Sequence, residues 1–347
     1  MTKSSNQKIF SKIGQRWHRG LGASRLLTAI ALAATLGATL TCPAQAQSNY
    51  PSRPIKMIVP LAAGSAVDNA ARIVAAKMSQ GLGQSVVIEN QVGASGQIGA
   101  ENVAKAAPDG YTIGGFNDSI MTMLPQIKPN LPWDILRDFA PISLVATVEW
   151  GLVANNDVPY KNAAGLIAAA TKTPGQLNYG SGGSGSPQHI AMALFAAQAN
   201  LIMTHVPYKG ATQAAVGVAG GEVPVAFQGL ATVATLVRGG KLKLLGVTTK
   251  ERLAQFPDVP TVGESGLPGF EFNSWFAMLA PTGTPSDIIN RLNAEVRKAL
   301  SDPEVREKLI GLGLSPRGSS PQELGNATRD QLAKYARLFK QAGIKAE

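Results

Sequence analysis

The chain has 347 residues, a formal net charge of +10 and a single cysteine. The charge is unevenly placed: Lys3, Lys8, Lys12, Arg16, Arg19 and Arg25 stand in a stretch with no acidic residue, and removing these six from the 32 basic side chains leaves 26 against 22 acidic ones. A surplus near +4 without a Lys/Arg block argues against a nucleic-acid binder, and one cysteine argues against a disulfide framework.

The basic start is followed by an apolar run from Leu26 to Leu40 and by Ala44-Gln45-Ala46 before Gln47. Charged start, short apolar middle and small-residue exit read as a secretory signal peptide over residues 1–46. The run falls short of the ~20 residues that span a bilayer comfortably. Thr39-Leu40-Thr41 before Cys42 lacks the small last residue of a lipoprotein signal, so no lipid anchor is expected. The only cysteine leaves with the signal. The remaining chain is expected in the periplasm as a protein of about two domains.

Strand-like Ile55–Val59 leads through the loop Ala62–Val67 to a helix opened by Asp68. Ser85–Ile88 reads as a strand, Gly93–Gly96 as a turn, Gln97–Lys105 as a helix and Thr112–Phe116 as a strand. This βαβαβ alternation predicts a parallel sheet with helices on both faces. The pattern returns with strands at Leu177–Tyr179, Met203–Val206, Val223–Phe227 and Leu242–Val247. Helices are predicted between them near 186–198, 211–219 and 232–238. Proline-rich connectors precede three C-terminal helices near 285–300, 303–312 and 320–341, with no strands between them. The predicted division is residues 47–145 plus 272–347 in one lobe and 146–271 in the other. The two crossings form a hinge of the kind that closes around ligands.

Three loops are candidates for a site, each before a helix. They contain Ala63, Gly64, Ser65 and Asp68; Asn117 and Ser119; and Ser181, Ser184, Gly185 and Ser186. Glycines admit close backbone approach, and helix starts offer unpaired N–H groups with partial positive charge. Such loops bind a carboxylate through backbone and hydroxyl donors without arginine. Asp68 is read as the N-cap of its helix, with a contact to ligand or water as a second role.

Other chemistries lack support. Gly180-x-Gly182-x-x-Gly185 has the form of a dinucleotide fingerprint, but the next acidic residue, Glu222, lies far beyond the ~20-residue spacing such a site uses. His189 and His205 remain as isolated histidines, too few for a metal, and are expected to be hydrogen-bonded structural residues. No G-x-S-x-G elbow is present, so a hydrolase would need Ser and His assembled by tertiary structure. No catalytic residue, cofactor or metal is expected.

The motifs taken in order resemble the Bug family, the extracytoplasmic substrate-binding proteins of tripartite tricarboxylate transporters. They include Tyr50-Pro51-Ser52-Arg53-Pro54-Ile55, Asp68-x-x-Ala71-Arg72, Glu89-Asn90-x-x-Gly93-Ala94-x-Gly96 and Pro108-Asp109-Gly110-Tyr111-Thr112. Asn178-Tyr179-Gly180-Ser181, His205-Val206-Pro207-Tyr208-Lys209-Gly210, Pro257-Asp258-Val259-Pro260-Thr261 and Ala280-Pro281-x-Gly283-x-Pro285 follow. The resemblance implies an α/β, two-lobed periplasmic binding protein (Venus flytrap) and a small carboxylate held between the lobes. It also implies membrane permease subunits as partners, a monomer, and no enzymatic activity. The implied carboxylate contacts are Ala63, Gly64, Ser65, Asp68, Asn117, Ser119 and Ser181 to Ser186, with Tyr208 and Gln228 at the far end. Two departures stand out. Leu61-Ala62-Ala63-Gly64-Ser65 replaces the family's Phe-Pro-Pro-Gly-Gly, and Phe227-Gln228-Gly229 replaces Phe-Asp-Asn. The missing acid at 228 removes a partner for a ligand amine and favours a plain mono- or dicarboxylate, aromatic acids included. A ligand sensor for a membrane signalling partner, or a periplasmic hydrolase, are the alternatives.

Overall fold

A computed structural model of the chain describes residues 50–128 and 130–341. The expected signal peptide, residues 1–46, lies outside the described residues.

β1 (Ile55–Val59) buries Ile55, Met57, Ile58 and Val59, while Lys56 reaches out to pair with Glu89. A strand apolar on both faces suits parallel pairing beneath helices. It pairs in parallel with β2 (Val86–Asn90) and β3 (Thr112–Asn117). α1 (Ala66–Leu82) and α2 (Gln97–Ala104) make the connections. α1 buries Val67, Ala70, Ala71, Val74 and Met78, an i, i+3, i+4 stripe laid on the sheet, and ends at Gly83 in the left-handed conformation. β3 runs into a π-helical turn (Ser119–Met123) and a short helix, α3 (Leu124–Ile127). Phe116 is fully buried in this core, and truncating it to Ala would cost ~3–5 kcal/mol.

The parallel core is extended by antiparallel strands, so the sheet is mixed rather than parallel throughout. β10 (Ser274–Pro281) lies between β3 and β4 (Phe139–Val148), and β11 (Leu314–Pro316) edges β4. The order is β11-β4-β10-β3-β1-β2. These added strands hide from periodicity. β10 is buried at every position and so shows no alternation, β4 is interrupted by Pro141, and β11 is very short. β11 also separates two C-terminal helices that sequence places in direct succession.

The second sheet has the order β7-β6-β8-β5-β9. β6 (Asn178–Ser181) is parallel to β7 (Thr204–Pro207) and β8 (Val225–Gly229). β5 (Trp150–Ala154) is antiparallel to β8 and to β9 (Lys243–Val247). α4 (Ala163–Lys172), α5 (Pro187–Gln198), α6 (Ala211–Ala219) and α7 (Leu230–Arg238) belong to this half.

The chain passes between sheets at Glu149, from β4 to β5, and over residues 248–273, from β9 to β10. α8 (Ser286–Ser301), α9 (Pro303–Gly311) and α10 (Pro321–Gln341) then return to the first sheet. Asn293 Nδ2 donates to Ile142 O at 2.7 Å and to Ser319 O at 2.8 Å, and Asp302 pairs with Lys77 of α1. Among the described residues no helix is long and apolar enough to cross a membrane.

Candidate ligand-binding site

Four helices begin at one cavity of about 410 Å³ between the two sheets. Ser65, Ala66 and Val67 bring the start of α1; Ser186, Pro187 and Gln188 that of α5; Gly210 and Ala211 that of α6; Gly229 and Thr232 that of α7. The first two starts are capped by their own serines. Ser65 Oγ accepts from Asp68 N–H at 3.3 Å, and Ser186 Oγ accepts from His189 N–H at 3.4 Å. α6 and α7 start at glycines and have no side-chain cap. Leu230 N–H at the start of α7 donates to Glu149 O at 2.8 Å, and the remaining first-turn N–H groups of both helices carry the partial positive charge that attracts anions.

The wall charge has one sign. Lys128 and Lys209 line the cavity, and no Asp or Glu does among the described residues. Asn117, Ser119 and Ser184 add neutral polar groups, while Val92, Val148 and Trp150 supply apolar surface. Such a wall suits an organic anion and, among the described residues, offers no carboxylate to a ligand amine.

The rim is closed by direct bonds between the two halves. Thr212 Oγ1 donates to Ala63 O at 2.9 Å, and Ala66 N–H donates to Thr232 Oγ1 at 2.9 Å. Asn69 Nδ2 donates to Ala231 O at 2.8 Å, and the Ser95 hydroxyl donates to Ser184 O.

Six of the residues singled out from sequence line this cavity: Ser65, Asn117, Ser119, Ser184, Ser186 and Tyr208. Asn117 Oδ1 accepts from Ile120 N–H at 3.1 Å and from Ser119 Oγ at 3.3 Å, which fixes the entry to the π turn. Tyr208 turns its hydroxyl to Glu222 Oε2 at 2.9 Å. Burial and that carboxylate push its pKa up to about 12.

The other six are not on the wall, and each has a structural occupation. Asp68 is not the N-cap of α1; Ser65 is. The Asp68 carboxylate instead accepts from Gly64 N–H at 2.8 Å, Arg72 Nε at 3.0 Å and Asn90 Nδ2 at 2.9 Å. Burial opposes its charge, but Arg72, Gly64 and Asn90 together hold the carboxyl below the usual range. Gly64 is thus bonded to Asp68, and Ala63 to Thr212. Ser181 is fully buried, its Oγ 2.5 Å from His205 Nε2 and accepting from Gly183 N–H. Gly185 has φ 76°, and a Cβ there would stand 2.5 Å from Ile127 Cδ1, so glycine alone lets this loop meet α3. Gln228 is buried and receives Gln188 Nε2 at 3.3 Å, so it positions Gln188, which does line the cavity.

The histidines are not isolated. His189 and His205 stack at 4.2 Å with Tyr179 beyond, and Gly185 N–H donates to His189 Nδ1 at 3.1 Å. Burial, then the neighbouring His189, lowers the His205 pKa to about 4, which keeps the ring neutral. Ser181 and His205 have the separation of a nucleophile and its base, but neither lines the cavity. Among the described residues no cluster of His, Cys, Asp and Glu could hold a metal. Lys128, Ser95, Gln188, Trp150 and Ser274 are site residues that carry no motif. The start of α6 was visible as Lys209-Gly210 but lacks the serines that mark the other loops.

Residues 70–344 match the profile of the tripartite tricarboxylate transporter family receptor. The chain belongs to this family. Among curated relatives, the UPF0065 protein of the tcbD-tcbE intergenic region of Pseudomonas sp. strain P51 is 38% identical over 320 residues, 92% of this chain and 94% of that protein. Protein BugT of Bordetella pertussis is 33% identical over 327 residues, 94% of this chain and 99% of BugT. Two solved structures share the fold closely. Rpa4515 of R. palustris with adipate has a TM-score of 0.84 at 34% identity, covering 86% of this chain and all 100% of that one. MatC (Rpa3494) of Rhodopseudomonas palustris with bound malate has a TM-score of 0.80 at 31% identity, covering 83% and 99%. The two-sheet architecture is therefore that of a periplasmic binding protein of the Bug family, as the motif order implies.

Proposed function

We propose that this family member is a periplasmic receptor that closes around a small organic carboxylate and hands it to the membrane subunits of a tripartite tricarboxylate transporter. The observation that carries the reading is the cavity itself. Two helix starts without side-chain caps, two lysines and several hydroxyls line one space with no carboxylate on its wall among the described residues. The adipate and malate held by two structural relatives support the same ligand class. Ser65, Asn117, Ser119, Ser184 and Ser186 are the proposed ligand contacts. Ala63, Gly64, Asp68, Ser181, Gly185 and Gln228 hold those contacts in place.

The proposed division is residues 47–145 plus 272–347 and residues 146–271, hinged at the two crossings. Sheet membership supports two such halves, with the first boundary moved to Glu149 because β4 runs to Val148 in the first sheet. A ligand bridging both halves has differential affinity for the closed form and shifts the population toward it. The molecule is proposed to work as a monomer, without catalytic turnover, after export by its N-terminal signal. Thermal unfolding of ligand-stripped protein against mono-, di- and tricarboxylates, aromatic acids and amino acids tests this. Ligand at 100-fold its Kd should add ~2.7 kcal/mol, a rise of several degrees. A flat response to every acid would overturn the reading.

A further inference from the structure

We infer that Lys128 is the residue that makes this receptor select acids with a second anionic group over acids with one. This deepens the carboxylate reading and rests on it.

One carboxylate can be accommodated by the uncapped starts of α6 and α7 together with neighbouring hydroxyls. That leaves the cations on the wall unexplained. Lys128 and Lys209 are its only charged side chains, and neither takes part in any of the ion pairs or side-chain hydrogen bonds among the described residues. The two differ in setting. Lys209 is exposed, so water screens it; Lys128 is half-buried. An ammonium partly removed from water without a counter-charge is unfavourable, and a carboxylate brought to it in an enclosed space gains more than the same pair would in bulk water.

The backbone explains why Lys128 is held on the wall. Its N–H donates to Leu124 O at 2.9 Å, closing the last turn of α3. α3 is itself wedged against the loop of the other half: a Cβ on Gly185 would meet Ile127 Cδ1 at 2.5 Å and Leu124 Cδ1 at 3.2 Å. Lys128 therefore stands where the first half of the molecule meets the serine-glycine loop of the second. An acid anchored at the helix starts shares one cavity with this lysine, which is the cation open to its second anionic group.

The test is calorimetric titration with matched pairs of diacid and monoacid: succinate with butyrate, adipate with hexanoate, phthalate with benzoate. The wild-type protein should prefer at least one diacid over its partner by 10-fold or more. Lys128→Gln should weaken that diacid by roughly 10- to 100-fold and leave the monoacid within about 2-fold, while Lys128→Arg restores most of the preference and Lys209→Gln leaves it unchanged. Equal weakening of both acids by Lys128→Gln, or no weakening of either, would overturn the role of Lys128 and leave the carboxylate reading standing. A wild-type protein that binds no acid of any pair would overturn both.

Discussion

Trp150 Nε1 donates to Ser274 Oγ at 2.8 Å, joining the first residue of β5 to the first residue of β10. Each residue begins the strand that follows one of the two crossings between the sheets, and both line the cavity. Trp150 also packs edge-on against Phe272 at 5.2 Å, within the second crossing. The two crossings between the sheets and this part of the cavity wall are thus one structure. Ser274→Ala would leave a buried indole N–H without its partner, at a cost of ~1–3 kcal/mol. Thermal unfolding should show a midpoint several degrees lower; an unchanged midpoint would mean the bond contributes nothing to the crossing.

The proposed closed form also rests on bonds between the two halves that a ligand does not make. Thr212→Val keeps the side-chain shape but removes the donor to Ala63 O. One neutral hydrogen bond is worth ~0.5–1.5 kcal/mol net, so ligand affinity should fall roughly 2- to 10-fold through a faster off-rate. The variant's ligand-free stability should change little by comparison. An unaltered off-rate would show that this bond does not hold the closed form.

His205 gives a stability that depends on pH. Its folded pKa of about 4 lies below the 6.5 of the unfolded imidazole. The unfolded chain therefore takes up the extra proton first, and stability falls as pH drops from about 6.5 to about 4. Allowing for the partial exposure of the ring, the loss is ~1–2 kcal/mol. His205→Gln should flatten that part of the profile in chemical denaturation, whereas a parallel profile would assign the loss to other groups.

Asp118 works in the opposite sense. It is fully buried beside Ser119, and neither oxygen has a hydrogen-bond partner among the described residues. Burial raises its pKa well above the carboxylate range, and the nearby backbone N–H groups of Trp275 and Ser119 do not offset it. The folded state keeps the proton that the unfolded chain releases, so this acid costs increasing stability as pH rises above the unfolded carboxylate range. Asp118→Asn, a neutral mimic, should stabilise the protein at pH 7.5 and lose that advantage near pH 4. Equal effects at both pH values would contradict a neutral buried acid.

Where one physical signal governed an element, sequence located it well. Ile55–Val59 and Ala211–Ala219 coincide with β1 and α6, because each is bounded by glycine, proline or polar residues and has a plain apolar pattern. The antiparallel strands were hidden because burial on both faces erases alternation, as in Ser-Trp-Phe-Ala-Met-Leu-Ala-Pro of β10. The start of α1 is ambiguous locally. Ser65 and Asp68 are both good caps, and the choice was made by Arg72 and Asn90, which draw the Asp68 carboxylate away from the helix end. In the site, serine and glycine marked the loops that reach the cavity, but not which residues turn inward. Ser181 and Gln228 fold back onto His205 and Gln188. Lys128 belongs to no motif, and only the packing of α3 brings it to the wall.

Isothermal titration calorimetry of the ligand-stripped protein with straight-chain dicarboxylates, from succinate to adipate, tests the central claim most directly. The account predicts saturable heat with one site per chain for at least one acid. Folded protein that gives no saturable heat with any dicarboxylate or with its monoacid partner, nor with tricarboxylates or aromatic acids, would contradict it, and would show that the cationic cavity serves something other than an organic acid.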